Sequence, residues 1–214
     1  MDLDGVSCAR QIKTRDELCE LYDKPSMRAV AKETAVVTDD CRAFIAHSPF
    51  LVMGTAGADG SCDVSPKGDA PGFVQVLDEK RLLVPDRIGN NRLDGLGNIV
   101  QNGHIALIFF VPGREDMLRV NGRASIVRDD ELLDRLAVEG KRPRTAVLVD
   151  VEQCFMHCAR AAKRSGLWEP ERWPDASSVR SMQRMIWDLL PVKPAGKTVE
   201  DYERESKEGV KILY

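Results

Sequence analysis

The sequence predicts a mainly β domain, an antiparallel barrel with peripheral helices and a helical C-terminal tail. Six or seven short apolar or alternating stretches follow one another closely between residues 50 and 152, mostly joined by turn-sized gaps. The helical patterns among them are too short for the crossovers of a doubly wound parallel sheet. Pro170, Pro174, Pro191 and Pro194 then set off two polar, amphipathic segments at 177–190 and 198–212. The expected organisation is an N-terminal helical segment over 1–48, a barrel over 49–173 and a helical tail over 174–214.

In chain order, residues 14–22 and 38–47 read as short helices, the second with Thr38, Asp39 and Asp40 available as N-caps ahead of Ala43, Phe44 and Ile45. FLVMGTA (50–56), a Gly-Ala-Asp-Gly turn and SCDVSPK (61–67) read as a hairpin, and FVQVL (73–77) with KRLLV (80–84) as another. HIALIFFV (104–111) is continuously apolar and so predicts a strand buried on both faces. LRVNGRASIVR (118–128) alternates, with Arg119, Asn121, Arg123 and Ser125 on one side and Val120, Gly122, Ala124 and Ile126 on the other. TAVLVDVE (145–152) is the last strand. Helices are expected over 91–101, 130–139 and 153–165, the middle one opening at Asp129 and Asp130 and closing on Gly140 as its C′ residue.

Charge narrows the function classes. Thirty-one Lys and Arg against 34 Asp and Glu leave a net charge of −3, which excludes a chain-wide nucleic-acid footprint but not a local basic pocket. No apolar run approaches the ~20 residues of a membrane span. MDLDGVSCARQIKTRDEL has no apolar core of a signal peptide, so a soluble cytoplasmic protein is expected. In that setting Cys8, Cys19, Cys41, Cys62, Cys154 and Cys158 read as reduced thiols.

The segment LLVPDRIGNNRLDGLGN (82–98) carries the strongest chemical signal. A strand ends near Val84, Gly89 permits a turn, and Asn90 or Asn91 can cap a new helix. Free N–H groups at that helix start, flanked by Arg87 and Arg92, suit an anion such as phosphate. Gly95 and Gly97 allow close approach of a ligand or a second chain. A plain strand–turn–helix connection with solvated arginines accounts for the same residues. On a strand, Asp63, Ser65 and Lys67 share one face and Cys62, Val64 and Pro66 the other; the first row suits a polar ring system or an ordinary solvent face. Arg160, Lys163 and Arg164 complement a helix C-terminus before Gly166, or reach a ligand together with Trp168. Cys154, His157 and Cys158 lack the further ligands of structural zinc, so no metal site is assigned. His47 and His104 stand alone. No nucleotide, zinc-protease or serine-hydrolase motif is present, and no catalytic residue is named.

Taken in order, FLVMGTAGADGSCDVSPKG, LLVPDRIGNNRLDGLGNIVQN, LRVNGRA and KRSGLW resemble the pyridoxamine 5′-phosphate oxidase-like family of FMN-binding split barrels, in its bacterial branch of FMN-dependent proteins. The resemblance spans about residues 36–173. It implies a six-stranded antiparallel split β-barrel with flanking helices, and a homodimer with two FMN sites at the subunit interface. By position, Asp63, Val64, Ser65, Pro66 and Lys67 correspond to the strand that passes the isoalloxazine. Asp86, Arg87, Asn90, Asn91 and Arg92 correspond to the loop and helix start that hold the flavin phosphate. Here Asn90-Asn91-Arg92 stands where the family has Ser-Arg-Lys, so one cation is lost and Arg87 is the residue placed to compensate. Lys163, Arg164, Ser165 and Trp168 correspond to a late segment that approaches the flavin from the other subunit. The oxidase's arginine-rich C-terminal signature does not follow Trp168, which argues against vitamin B6 oxidation. The resemblance thus implies an FMN-dependent oxidoreductase acting on an unassigned small molecule. A non-catalytic flavin-, F420- or haem-binding split barrel is the alternative.

Overall fold

The computed structural model describes residues 11–209, 211, 213 and 214, and divides the chain into an N-terminal unit ending at Glu33 and a main unit, Thr34–Tyr214. Residues 1–10, with Cys8, lie outside the described residues, as do residues 210 and 212. The N-terminal unit holds α1 (Arg15–Cys19) and α2 (Met27–Ala31). Thr14 and Glu17 close a capping box on α1, and Ser26 caps α2.

The main unit places α3 (Asp39–His47), β1 (Phe50–Ala56), β2 (Cys62–Gly68), β3 (Gln75–Val76), β4 (Arg81–Pro85), α4 (Asp94–Gln101), β5 (His104–Phe110), β6 (Met117–Val127), α5 (Asp130–Asp134) and β7 (Ala146–His157) in that order. α6 (Arg160–Ser165), α7 (Met182–Leu189) and α8 (Val199–Gly209) follow. All strand pairs are antiparallel, in one sheet of order β2-β1-β5-β6-β7-β4-β3. β2 and β3 are its two edges, so the sheet curls but does not close. The seven strands agree with the six or seven that the pattern predicts and exceed by one the six that the resemblance implies; the strand expected over 73–77 is reduced to the two-residue β3.

The inner face is the core. Leu51, Met53, Leu107, Phe109, Leu118, Val120, Val147 and Val149 are buried on it, covered by Cys41 and Ile45 of α3 and Ile99 of α4. Thr38 caps α3 as expected, its hydroxyl accepting the Cys41 N–H. A smaller cluster of Leu83, Leu133, Leu136 and Ala146 packs α5 against the other side of β4 and β7.

Four expectations need correcting. HIALIFFV is not buried on both faces: Ile105, Leu107 and Phe109 are core, whereas Ala106 is exposed and Ile108 and Phe110 are half-buried. Its outward side belongs to an apolar face of the sheet. The registers align Pro66, Val52, Ile108, Arg119 and Phe155 in a row across β2, β1, β5, β6 and β7. Residues 153–157 are strand, not helix, because the first half of β6 needs a partner and pairs Arg119 with Phe155 and Val120 with Cys154. Tertiary pairing outweighs local helical period there. α4 starts at Asp94, with Leu93 at the N-cap and no side chain capping it, so neither Asn90 nor Asn91 is the cap. α5 ends at Asp134, and Gly140 instead shares a tight turn with Glu139, both at positive φ (74° and 50°).

A bulge between Asn121 and Gly122 re-registers β6 on β7. Gly122 lies so close to β7 that a Cβ there would sit 2.0 Å from the Asp150 carbonyl oxygen. Among the described residues, no helix is long and apolar enough to cross a membrane.

Candidate functional site

The open edge of the barrel is the site. β2 and the exit of β4 face each other without a hydrogen-bonded ladder, and a cavity of about 1050 Å³ lies between them. Its walls are β2, the 85–93 loop, the start of α4 and the 141–145 loop.

Period-two geometry places the β2 residues. Asp63, Ser65 and Lys67 are half-buried toward the cavity, while Val64 is 70% exposed and Pro66 also points outward. Both outward residues still edge the cavity mouth. Asp63 is positioned by Asn98 of α4, whose Nδ2 donates to Asp63 Oδ2 at 2.8 Å and to Thr55 Oγ1 at 3.2 Å. A Cβ at Gly95 would meet Thr55 Oγ1 at 3.4 Å and Ser65 Oγ at 3.5 Å, ordinary van der Waals distances, so the packing of α4 here does not require a glycine. Gly97 faces open space and serves no close approach.

Two ion pairs cross the opening. Lys67 Nζ donates to Asp86 Oδ1 at 2.9 Å, and Arg87 Nε donates to Asp69 Oδ2 at 2.6 Å. Arg87 Nη1 also donates to the Leu136 carbonyl at 2.8 Å, and its guanidinium lies 5.4 Å from the centre of the Tyr214 ring. Arg87 is therefore fixed in place. The Tyr214 hydroxyl donates to the other oxygen of Asp69. Burial pushes the Asp69 carboxyl up, but the Tyr214 hydroxyl, the Ala70 N–H and Arg87 together hold it below the usual range. The same bond raises the Tyr214 phenol above its ordinary value.

Asn91 occupies the left-handed region (φ 58°), and the Asn90 Oδ1 accepts the Arg92 N–H at 3.0 Å. This turn delivers the chain into α4 with its first N–H groups uncapped by any side chain. The Arg92 side chain is 76% exposed and meets Asp94 at 2.8 Å.

Lys163, Arg164, Ser165 and Trp168 do not reach the cavity of their own chain. Lys163 pairs with Glu115 at 3.0 Å, Trp168 Nε1 donates to the Arg114 carbonyl at 2.7 Å, and Ser165 Oγ donates to the Ala162 carbonyl at 3.0 Å. The Arg164 carbonyl accepts from Arg172 at 3.4 Å. Among the described residues, no group of three His, Cys, Asp or Glu side chains is placed to hold a metal. His47 bonds the Ala43 carbonyl and His104 contacts Arg123.

Sequence reasoning missed Asn98, Tyr214 and the 141–145 loop. For Asn98 the signal was present: Gly95, Asn98 and Ile99 share one i, i+3, i+4 face, which turns out buried. Nothing local marks Tyr214 or the 141–145 loop, since the fold alone brings them to the opening.

A family model described as pyridoxamine 5′-phosphate oxidase matches residues 37–158, the span that builds the sheet, α4 and both sides of the opening. The chain belongs to the pyridoxamine 5′-phosphate oxidase family. No curated protein matches it. Among solved structures it is similar to a putative pyridoxamine 5′-phosphate oxidase from Lactobacillus delbrueckii, at 22% identity over 57% of this chain and 95% of that one, with a TM-score of 0.45. HupZ from Group A Streptococcus shares 21% identity over 56% of this chain and 92% of that one, with a TM-score of 0.46. An FMN-binding protein from Syntrophomonas wolfei shares 12% identity over 55% and 83%, with a TM-score of 0.44. The family match accounts for the sheet and the cavity mouth; α7 and α8 lie beyond its matched span.

Proposed function

We propose that the protein is an FMN-binding flavoprotein, an FMN-dependent oxidoreductase acting on a small molecule, and that it works as a homodimer. The observation that carries the reading is the cavity at the open edge, where fixed polar groups line one side and an uncapped helix start with an exposed arginine lies on the other. These residues fit a phosphorylated ring cofactor. The N–H groups at the start of α4 and the Arg92 fork suit the phosphate. The Arg92–Asp94 pair is exposed and therefore weak, which leaves the guanidinium available. Asp63, held by Asn98, and Lys67, held by Asp86, present a fixed acid and a fixed cation to the polar edge of a ring. Bound FMN would supply the redox chemistry, and the protein position and charge. No side chain is assigned as an acid or base.

Among the described residues no histidine or cysteine lines the cavity, Met53 is buried in the core, and the Tyr214 hydroxyl is held by Asp69, which together favour a flavin over haem. The absorption spectrum separates FMN, F420 and haem directly. Protein refolded with excess FMN should stay yellow after desalting, and Arg92→Ala should weaken binding by about 1.5–3 kcal/mol. Colourless wild-type protein would overturn the proposal.

Dimerisation rests on the outward sheet face. Val64 and Ala106 are exposed, Phe50 is 40% exposed, and Val52, Ile108 and Phe110 are half-buried. Arg119 Nε is buried in their midst with no hydrogen-bond partner among the described residues. A second copy, meeting this face by a two-fold axis, would cover it. In that arrangement Lys163, Arg164, Ser165 and Trp168 would approach the cavity of the other subunit.

A further inference from the structure

A second cavity, of about 740 Å³, lies between the barrel and the C-terminal helices. It opens to solvent on one side, and its volume is within the roughly 300–1,000 Å³ typical of small-molecule sites. The 68–70 and 87–89 loops form one side of it, and α7, α8 and Leu213 the other. It shares Gly68, Arg87, Ile88, Gly89 and Tyr214 with the first cavity, so the two chambers adjoin across a common partition.

Their chemistries differ. The first cavity is strongly charged, lined by Lys67, Arg92, Lys141, Arg142 and Arg144 together with Asp63, Asp86 and Asp94. Among the described residues lining the second, the charged ones are Asp69 and Arg87, which neutralise each other at 2.6 Å. The remaining wall is apolar and aromatic, chiefly Met182, Ile186, Tyr202 and Tyr214, with Gln183 and Ser206 as isolated hydrogen-bonding groups. A charged ligand would give up part of its hydration here without finding a free counter-charge. An uncharged ring compound would meet apolar and π surface, with one or two polar groups to orient it.

We propose that this chamber binds an uncharged, largely apolar, ring-bearing small molecule, and that this molecule is the reaction partner of the cofactor next door. The second clause rests on the FMN reading; the binding itself does not.

N-phenyl-1-naphthylamine, a neutral fluorophore that brightens in apolar surroundings, tests both. Wild-type protein should bind it saturably at one site per chain. Ile186→Trp and Ser206→Trp, which fill the chamber from opposite helices, should each weaken binding at least tenfold while circular dichroism and FMN retention stay unchanged. Non-saturable binding, or filled variants that bind as wild type does, would overturn the site. Arg92→Ala should bind FMN roughly tenfold or more weakly yet keep the fluorophore. Colourless wild-type protein that still binds it after refolding with FMN would sink the FMN reading and leave the chamber standing; yellow wild-type protein that does not bind it would sink the chamber alone. In yellow protein the fluorophore should also shift the flavin bands, and bands that do not move would overturn the assignment as reaction partner.

Discussion

Lys67 and Asp86 form an ion pair of 2.9 Å across the gap between edge strand β2 and the end of β4, where no hydrogen-bonded ladder joins the two. Lys67 belongs to edge strand β2, and Asp86 follows β4 directly. Side chains therefore hold the mouth that backbone pairing leaves open, and a ligand can enter without breaking a sheet.

Replacing Lys67 by Met keeps the apolar stem of the side chain and removes its ammonium group. Both partners are largely shielded, at 19% and 24% exposure, so the stranded Asp86 should cost on the order of 1–3 kcal/mol. Urea unfolding would read this as a lower midpoint at unchanged slope. Lys67→Met and Asp86→Asn together should cost less than the sum of the single changes.

The Asp69–Tyr214 bond makes tail docking depend on pH. The Asp69 carboxyl is held below its ordinary value, so its contribution is complete above about pH 4 and disappears as pH falls through the lowered pKa. The Tyr214 phenol is raised, so its contribution is complete below about pH 10 and disappears as pH rises through the raised pKa. Stability should form a plateau between these limbs. Tyr214→Phe should remove the alkaline limb and shrink the acid one. Trp187 of α7, whose ring lies 5.7 Å from Tyr202, reports on the tail by fluorescence. A variant curve superimposable on wild type would show that the latch contributes nothing.

Gly122 is the position least tolerant of a methyl group. The clash with the Asp150 carbonyl can be relieved only by moving β7 away from β6, so Gly122→Ala should destabilise by about 3 kcal/mol or more, or prevent folding. Gly97→Ala is the matched control: it meets open space within a helix and should be neutral to stabilising by up to ~1 kcal/mol. Thermal melts of the two variants should therefore move in different directions.

Ile108→Glu places a charge at the centre of the outward row between Val52 and Arg119. If two copies meet there, sedimentation should show monomer, and FMN should be lost with it through linkage. Wild-type protein sedimenting as a monomer with FMN still bound would rule out a shared site.

Short-range pattern was enough to place most of the strands, the Thr38 cap, the β1–β2 hairpin and the alternation that aims Asp63, Ser65 and Lys67 one way. Those features depend on neighbours one to four residues apart, and such spacings are visible in a linear chain. The same patterns misread 153–157 as helix and 104–111 as doubly buried, because a strand's state is decided by the partner it pairs with and by what covers each face. The role of Arg87 was decided further away still. Beside Asn90 and Arg92 it reads as a free phosphate ligand, yet Asp69, Leu136 and Tyr214, at 18, 49 and 127 positions along the chain, hold it in the wall of the opening. Contacts over such distances exist only once the sheet has curled and the tail has come back against its open edge.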